Sequence, residues 1–215
     1  MKEIKLLICI PTGGSPRINF CTSLASLMGK VGSEGLPSIQ GSALSIDMNT
    51  VSGCIIHRNR EELVDNALQY DATHILFLDD DIEFKPEILD LLFSRDKEIV
   101  ATNYLVKNSS FDRFVSVGFD GKQVPTTHES TGIEPVNYTG MGVCLIDTKV
   151  FKSMPKPWFL PGWDRTKNHY IGEDVVFSHN ARQAGYETYL DHDASKMIKG
   201  HHGMFSWNWK DYLGE

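Results

Sequence analysis

The sequence predicts an α/β protein with a mostly parallel sheet and flanking helices. Apolar runs typical of buried strands, such as THILFL at 73–78 and EIVATNYLV at 98–106, alternate with helical segments. Parallel strands need long crossover connections, usually helices, and this alternation supplies them. A smaller antiparallel part is expected further on, because alternating residues flank the turn signal Asp120-Gly121.

Length and composition describe a globular chain with room for one core. Of its 215 residues, 41% are hydrophobic and 23% are charged, and the formal net charge is −7. That charge disfavours nonspecific attraction to nucleic acid or anionic membranes. Because no apolar run approaches a membrane span and the four cysteines lack CxxC spacing, we expect a cytoplasmic protein with reduced thiols and no integral membrane segment. Cys9 and Cys144 lie inside apolar runs and are expected to be buried.

The first half of the chain predicts alternating strands and helices. A buried strand starts near Glu3 and breaks at Pro11, and a helix follows with Ser15 as its N-cap and Pro16 in its first position. This helix has its apolar residues on one face, namely Cys21, Leu24, Leu27 and Met28. The further predicted elements are a strand at 43–48, a helix at 58–70, a strand at 73–78, a short helix at 86–93 and a strand at 98–106.

The second half predicts fewer regular elements. A strand is expected at 136–147, and it contains Gly140-Met141-Gly142. The segment 154–170 is rich in proline and tryptophan, so we expect a long surface loop. A helix at 172–186 closes at Gly185, a last strand follows at 187–191, and the remaining tail shows no clear periodicity.

Three adjacent aspartates, Asp79, Asp80 and Asp81, directly follow the predicted strand at 73–78. Like charges at this spacing resist ionising together, so either they form a solvated turn or a cation neutralises them. In open parallel sheets, ligands bind beyond the carboxyl ends of the strands, where this triplet is expected. Mg²⁺ and Mn²⁺ typically take one or two carboxylates together with substrate phosphate oxygens. The triplet is therefore a candidate metal site, and an acidic turn is the alternative.

Two further motifs carry side chains suited to the same kind of site. Glu173 and Asp174 open the helix at 172–186, where acids serve either as ordinary N-terminal residues or as a general base. The segment KGHHG at 199–203 offers His201, and an imidazole beside carboxylates completes a site for Mn²⁺ or a similar ion. No P-loop, GxGxxG, GxSxG or HExxH motif is present, which removes several large enzyme classes.

In their order along the chain, these motifs resemble those of the GT-A glycosyltransferases, in particular the small family 2-like enzymes of bacteria and phages. The resemblance spans about residues 4–203 and rests on ICIPT, HRNREELVDNAL, ILFLDDDIEFKPEIL, YTGMGVCLID, GEDVVFSHNARQAGYETYLD and KGHHG. It implies one GT-A domain over 1–215, with a Rossmann-like nucleotide-binding half at about 1–107, a sugar and acceptor half at about 108–203, and a tail at 204–215. It also implies transfer of a sugar, typically a hexose, from a nucleoside-diphosphate sugar to an acceptor hydroxyl.

The resemblance implies a role for each matching residue on the donor side. Asp81 would bind the metal, Mn²⁺ or Mg²⁺, and Asp79 would bind the metal or the ribose. His201 would reach back to the metal or the diphosphate, and Asp80 belongs to the substrate-binding segment without an assigned contact. The residues implied in nucleotide binding are Pro11 and Thr12 at the base, Arg58 at the nucleotide or diphosphate, and Asp47 as the acid that grips the base.

On the sugar and acceptor side, the resemblance implies that Gly140 and Gly142 lie beside the sugar. Asp174, with Glu173 next to it, would be the catalytic base of an inverting enzyme. Trp158 and Trp163 lie in the predicted loop at 154–170, where their aromatic faces suit stacking on an acceptor sugar or base, and closing the core beneath the long loop is the structural alternative for both.

The favoured donor is a UDP-sugar, with a GDP-sugar as the alternative. A glycan, a protein and a modified DNA base stay open as acceptors. Two other functions are compatible with a strand-end acidic pair. A nucleotidyltransferase would act on a nucleoside triphosphate, although the segment PTGGSPRIN matches its phosphate loop only in part. A non-catalytic module would merely hold a nucleotide or a sugar.

Overall fold

A computed structural model describes residues 3–107, 113–203 and 206–214 of the chain. The predicted boundary between the two halves adjoins the segment 108–112, which lies outside these residues, as do residues 204 and 205 of the predicted tail. The centre of the fold is a 7-stranded sheet, with smaller sheets of three and two strands beside it. No helix of the described residues is long and apolar enough to cross a membrane.

The strands are β1 Glu3–Thr12, β2 Ala43–Ser52, β3 His74–Leu78, β4 Ile82–Phe84, β5 Ile99–Thr102, β6 Ile133–Val136, β7 Val143–Asp147, β8 Gly162–Asp164, β9 His169–Ile171, β10 Thr188–Asp191, β11 Ile198–His202 and β12 Ser206–Trp207. The helices are α1 Ile18–Glu34, α2 Ile56–Gln69, α3 Ile88–Ser94, α4 Lys149–Lys152, α5 Glu173–Gln183, α6 His192–Ser195 and α7 Trp209–Leu213, with a 3-10 turn at Pro37–Ile39.

The central sheet has the order β2-β1-β3-β7-β5-β10-β6. β1 runs parallel to β2 and β3, and β5 runs parallel to β10. β7 lies antiparallel between β3 and β5, and β6 is antiparallel to β10 at the edge. The mostly parallel α/β sheet that the sequence predicts is therefore confirmed, and strands from both predicted halves build it.

Alternate residues of β1 and β3 enter two separate cores, one on each face of the sheet. Leu7 and Phe77 belong to the core that α2 and α5 cover, while Ile8 and Leu76 belong to the core under α1 and α3. This alternation follows from the two-residue period of a strand that is buried on both faces. Cys9 and Cys144 are buried, as predicted.

Helix α1 begins later than the sequence predicted. Its N-cap is Arg17, and the helix starts at Ile18 instead of Pro16. Its buried apolar residues are Phe20 and Leu27, whereas Cys21 is exposed. The prediction for Cys21 was wrong because the bulkier Phe20 turns toward the sheet and sets the buried face.

The proline-rich segment at 154–170 contains more regular structure than predicted. Its second part forms a hairpin in which β8 and β9 pair antiparallel. The predicted hairpin around Asp120-Gly121 is reduced to a turn with an isolated bridge between Val117 and Gln123. The predicted strand at 136–147 is regular only in β7, and the tail without periodicity supplies α6, β11, β12 and α7.

Candidate functional site

The triplet that follows β3 lies at the carboxyl edge of the sheet, next to the end of β1. The Thr12 hydroxyl donates a hydrogen bond to the Asp80 carboxylate, and the Arg17 amide donates to the Asp80 carbonyl across 2.8 Å. The Asp79 amide donates to the carbonyl of Gly142 across 2.9 Å. The resemblance implies no particular contact for Asp80. In the structure, its hydrogen bond with Thr12 fixes the triplet to β1.

Arg60 on α2 joins the first aspartate of the triplet to the acidic pair on α5. Its guanidinium donates to Asp79 Oδ1 across 2.8 Å and to the Glu173 carboxylate through its other terminal nitrogen. The arginine is only 4% exposed. Since a buried charge needs partners, these ion pairs fix the two acidic motifs against each other.

Asp81 meets two side chains that carry or can carry positive charge. The Lys107 ammonium donates to Oδ2, and His201 Nε2 lies 3.5 Å from Oδ1. Oδ1 is buried and has no hydrogen-bond partner among the described residues. Burial alone would raise the pKa of Asp81, but the neighbouring His201 and Lys107 outweigh it and hold the pKa below its usual value.

The orientation of His201 is set by its other ring nitrogen. Nδ1 lies 2.8 Å from the carbonyl oxygen of Leu105, and because a carbonyl only accepts, Nδ1 carries the proton of this hydrogen bond. In the neutral ring, Nε2 then presents a lone pair toward Asp81 Oδ1. Metal-binding histidines typically donate their second N–H to such a partner.

Asp81 and His201 are the side chains that fit a divalent cation best. Asp81 Oδ1, which has no hydrogen-bond partner among the described residues, faces His201 Nε2, and a carboxylate oxygen and a neutral imidazole nitrogen are both suitable donors for Mn²⁺. Asp79, the third predicted ligand, is turned to Arg60 instead. Among residues 3–107, 113–203 and 206–214, no group of three or more His, Cys, Asp or Glu side chains is arranged to hold a metal. Phosphate oxygens of a substrate, or water, are ligands that could complete such a site.

Asp174 lies in the first turn of α5, next to Glu173, which forms an ion pair with Arg60. Burial, assisted by the Glu173 charge, raises the pKa of Asp174 from 3.8 to about 6. The hydrogen bond from the Val175 amide, 2.8 Å to Oδ1, and the charge of Arg60 act in the opposite direction without cancelling this effect. A carboxylate with such a pKa is half ionised at about pH 6 and mostly ionised at neutral pH, which suits general-base work.

Gly140 and Gly142 have a structural reason to be glycines. A Cβ at Gly140 would lie 2.3 Å from the hydroxyl of Tyr104, and one at Gly142 would lie 2.2 Å from Ile82 Cδ1. The Gly142 amide donates to the Tyr104 hydroxyl across 2.9 Å. The two glycines thus make room for a buried tyrosine whose ring also contacts His201, with centroids 5.0 Å apart.

The structure does not bring every predicted residue to this edge. Asp47 is exposed and pairs in register with Leu7. Because β2 continues to Ser52 and does not end near Met48, Asp47 lies in mid-strand, roughly 17 Å from the strand end. Arg58 is exposed in the first turn of α2.

Pro11 is buried within β1, one residue before Thr12. It belongs to this edge through its backbone position.

The two tryptophans of the segment 154–170 have different environments. Trp158 is buried against Phe151, and its indole N–H lies 3.2 Å from two main-chain carbonyls, so the structural alternative holds for it. Trp163 is 47% exposed and meets Tyr170 edge to face, with ring centroids 4.8 Å apart. The hairpin that carries these two rings leads directly into α5, and Tyr170 lies three residues before Glu173.

The side chains that sequence reasoning missed are Arg60, Lys107 and Tyr104. A signal for Arg60 was present, because it falls on the same helical stripe as Leu63, Val64 and Ala67. A charged residue at a core position demands a buried partner. Lys107 and Tyr104 carry no comparable signal, since tertiary contacts alone bring them to the site.

A cavity of the described residues lies away from this site. It has a volume of about 470 Å³ and is lined by residues that include Ile39, His74, Phe93 and Lys97. These residues lie near the starts of β3 and β5, at the opposite edge of the sheet. None of the residues discussed above lines it.

Comparison with known proteins relates the chain to others through its fold. The crystal structure of A197 from STIV matches with a TM-score of 0.53 at 20% sequence identity, over 87% of this chain and 81% of that chain. No family model and no curated protein matches the sequence. The match supports the α/β architecture described above and, at this identity, it is a likeness of fold alone.

Proposed function

We propose that the chain is a metal-dependent glycosyltransferase that moves a sugar from a nucleoside-diphosphate sugar to an acceptor hydroxyl with inversion. One observation carries this proposal. The buried Arg60 holds the aspartates after β3 against the acidic pair of α5, and His201 arrives at Asp81 from β11. Motifs far apart in the sequence therefore converge at the edge of the sheet where ligands bind.

The acidic residues at this edge have different environments, and this supports different roles for them. Asp79 is neutralised by Arg60, and Asp80 is hydrogen-bonded to Thr12. Asp81 keeps one oxygen beside His201 that has no hydrogen-bond partner in the ranges the structure describes. Asp174 is half-buried, has a raised pKa and makes no ion pair among the described residues. A site with one carboxylate for a cation and another for a proton suits acid–base chemistry next to a charged leaving group.

Asp81 and His201 would hold the divalent ion. When bound, Mn²⁺ or Mg²⁺ acts as a Lewis acid and stabilises the negative charge of the leaving diphosphate. Arg60 keeps Asp79 and Glu173 in place through its two ion pairs. Thr12 and Asp80 fix the loop that would lie under the nucleotide.

Asp174 is the proposed base. Its carboxylate takes the proton of the acceptor hydroxyl while that oxygen forms a bond to the anomeric carbon. The bond from the anomeric carbon to the diphosphate oxygen breaks, and its electron pair leaves with the nucleoside diphosphate. Because attack and departure occur on opposite faces of the sugar, the configuration at the anomeric carbon inverts.

Trp163 and Tyr170 supply the proposed acceptor surface. The exposed aromatic pair lies on the hairpin that immediately precedes Glu173 and Asp174. Tryptophan and tyrosine offer large, rigid contact faces at a low entropic cost. This position favours a ring of the acceptor over a part of the donor, and a glycan, a protein or a modified DNA base would each present one.

A thermal-shift screen with Mn²⁺ tests the proposal. UDP- and GDP-sugars are added to the wild type and to Asp174→Asn, and the released products are then identified. We expect a donor-dependent rise of Tm in both proteins, because Asp174 is not proposed to bind the donor. Nucleoside diphosphate should accumulate with the wild type and fall by about 10²- to 10⁴-fold with the variant. Pyrophosphate released from a nucleoside triphosphate would instead identify a nucleotidyltransferase, and binding without any turnover would identify a non-catalytic module.

A further inference from the structure

We propose that Lys107 is an exchangeable counter-ion of Asp81. In the metal-free protein its ammonium pairs with this carboxylate, and when the divalent cation and the donor bind, it moves to the donor's diphosphate. The inference rests on the proposed function and assigns a role to a residue that no motif of the sequence singles out. Lys107 would therefore weaken the binding of the free cation and strengthen the binding of the nucleotide.

The two carboxylate oxygens of Asp81 have different hydrogen-bonding environments. Oδ2 receives the hydrogen bond from Lys107, whereas Oδ1 is buried, without a hydrogen-bond partner in the described part of the chain, and faces His201. A cation bound between Oδ1 and His201 would lie close to the lysine ammonium. Since like charges repel at such short range, metal binding and the Lys107–Asp81 ion pair oppose each other.

Arg60 and Lys107 differ in how free they are to move. The Arg60 side chain is 5% exposed and is held by two carboxylates, so it is fixed. The Lys107 side chain is 29% exposed and, within the described part of the chain, makes one ion pair, with Asp81. A lysine is a point charge on a flexible stem, which suits it to exchange one anionic partner for another.

The charge balance of the site favours this exchange. Once a divalent ion is bound to Asp81, the charge of the ion neutralises this carboxylate in place of the lysine ammonium. A nucleoside diphosphate brings new negative charge to the same edge and offers phosphate oxygens, to which a lysine ammonium binds well. The same side chain can therefore satisfy Asp81 before binding and the diphosphate after it.

Calorimetric titrations of the full chain test the inference with Mn²⁺ alone and with UDP at saturating Mn²⁺. In Lys107→Met the charge is removed and the side-chain length is kept, while Lys107→Arg keeps the charge. Lys199→Met is the matched control, because Lys199 lies 3.7 Å from Glu83, a neighbouring carboxylate on β4. Circular dichroism and Tm establish that each variant is folded.

We expect Lys107→Met to bind Mn²⁺ about tenfold more tightly than the wild type and UDP about tenfold more weakly. Lys107→Arg and Lys199→Met should stay within about twofold of the wild type for both ligands. An exchanging counter-ion predicts that the affinities for Mn²⁺ and UDP change in opposite directions. A merely structural ion pair does not predict opposite changes in these two affinities.

Equal Mn²⁺ affinity in the wild type and in Lys107→Met would overturn this inference and leave the proposed function standing. Unchanged UDP affinity would overturn it equally, because the diphosphate would then have no need of the lysine. Absence of Mn²⁺ binding in both proteins would overturn the inference together with the metal part of the proposed function.

Discussion

The guanidinium of Arg60 donates to Asp79 Oδ1 across 2.8 Å while it also pairs with Glu173. Through this residue, helix α2 links the end of β3 to the start of α5. The link is structural, because it neutralises two carboxylates, and under the proposed function it also places the triplet by the helix turn that carries Asp174. Its removal should therefore affect folding as well as chemistry.

Replacing Arg60 by leucine should destabilise the protein by about 3–5 kcal/mol, because two partly buried carboxylates lose their counter-ion. Urea unfolding followed by circular dichroism measures this change. Arg58→Leu is the matched control on the same helix, and as an exposed residue it should change the free energy of unfolding by less than about 0.5 kcal/mol. Similar losses for both variants would mean that Arg60 stabilises the helix and not the acidic motifs.

Transfer or donor hydrolysis should depend on the ionisation of Asp174. The base must be deprotonated, so kcat/KM should rise with pH up to about 6, the pKa of Asp174, and level off above it. At pH 5 the rate should be about a tenth of its plateau value. A profile that stays flat from pH 5 to 8 would remove Asp174 from the role of base.

Ionisation of Asp174 should also affect the stability of the folded protein, which is expected to fall with rising pH where activity rises. Because the folded pKa of about 6 exceeds the unfolded value of 3.8, the folded state holds more protons between these values and loses stability as pH rises through them. Asp174→Asn should therefore be more stable than the wild type at pH 7.5, by about 1–3 kcal/mol, with the gap closing below about pH 4. Thermal or urea unfolding at the two pH values checks this, and a less stable variant at pH 7.5 would contradict it.

The two tryptophans of the segment 154–170 should respond differently to truncation. Trp158→Ala should cost about 3–5 kcal/mol, because it empties a buried site against Phe151. Trp163→Ala should cost less than about 1 kcal/mol, because its ring is exposed at the hairpin. Urea unfolding measures both. A loss at Trp163 as large as that at Trp158 would mean that its role is structural.

Alanine at Gly140 should destabilise the protein by about 1–3 kcal/mol, because the new Cβ would collide with the Tyr104 hydroxyl. Tyr104→Phe removes the colliding oxygen, so the double variant should recover part of that loss. Gly29→Ala is the control, since nothing lies within 4 Å of a Cβ there and the position is helical. It should gain about 0.5–1 kcal/mol. A double variant no more stable than Gly140→Ala would show that the contact with Val115 Cβ at 3.2 Å, and not the tyrosine hydroxyl, requires the glycine.

Much of the fold could be predicted because strong local patterns carry it. β1, β3, α2 and α5 each combine a clear apolar period with a recognisable start or stop. The direction of β7 could not be predicted, since an apolar run reads the same in a parallel and in an antiparallel strand. β11 and β12 were missed because their residues are too few and too polar to show a period.

Some residues of the candidate site could likewise be predicted from local sequence patterns, and others could not. The acidic residues Asp79, Asp81 and Asp174 could be found, because their position after a strand or at a helix start is visible in the sequence. Asp47 was misplaced because the predicted end of β2 came too early. Lys107 and Tyr104 could not be found, since segments distant in sequence bring them to the carboxylates.

The central claim is that Asp81 belongs to a metal-dependent site that breaks the sugar–diphosphate bond. The most direct measurement is the release of UDP from a panel of UDP-sugars, with and without Mn²⁺, by the wild type and by Asp81→Asn. We predict Mn²⁺-dependent release by the wild type and a loss of about 100-fold or more in the folded variant. Equal release by both proteins, or release that Mn²⁺ does not change, would contradict the claim.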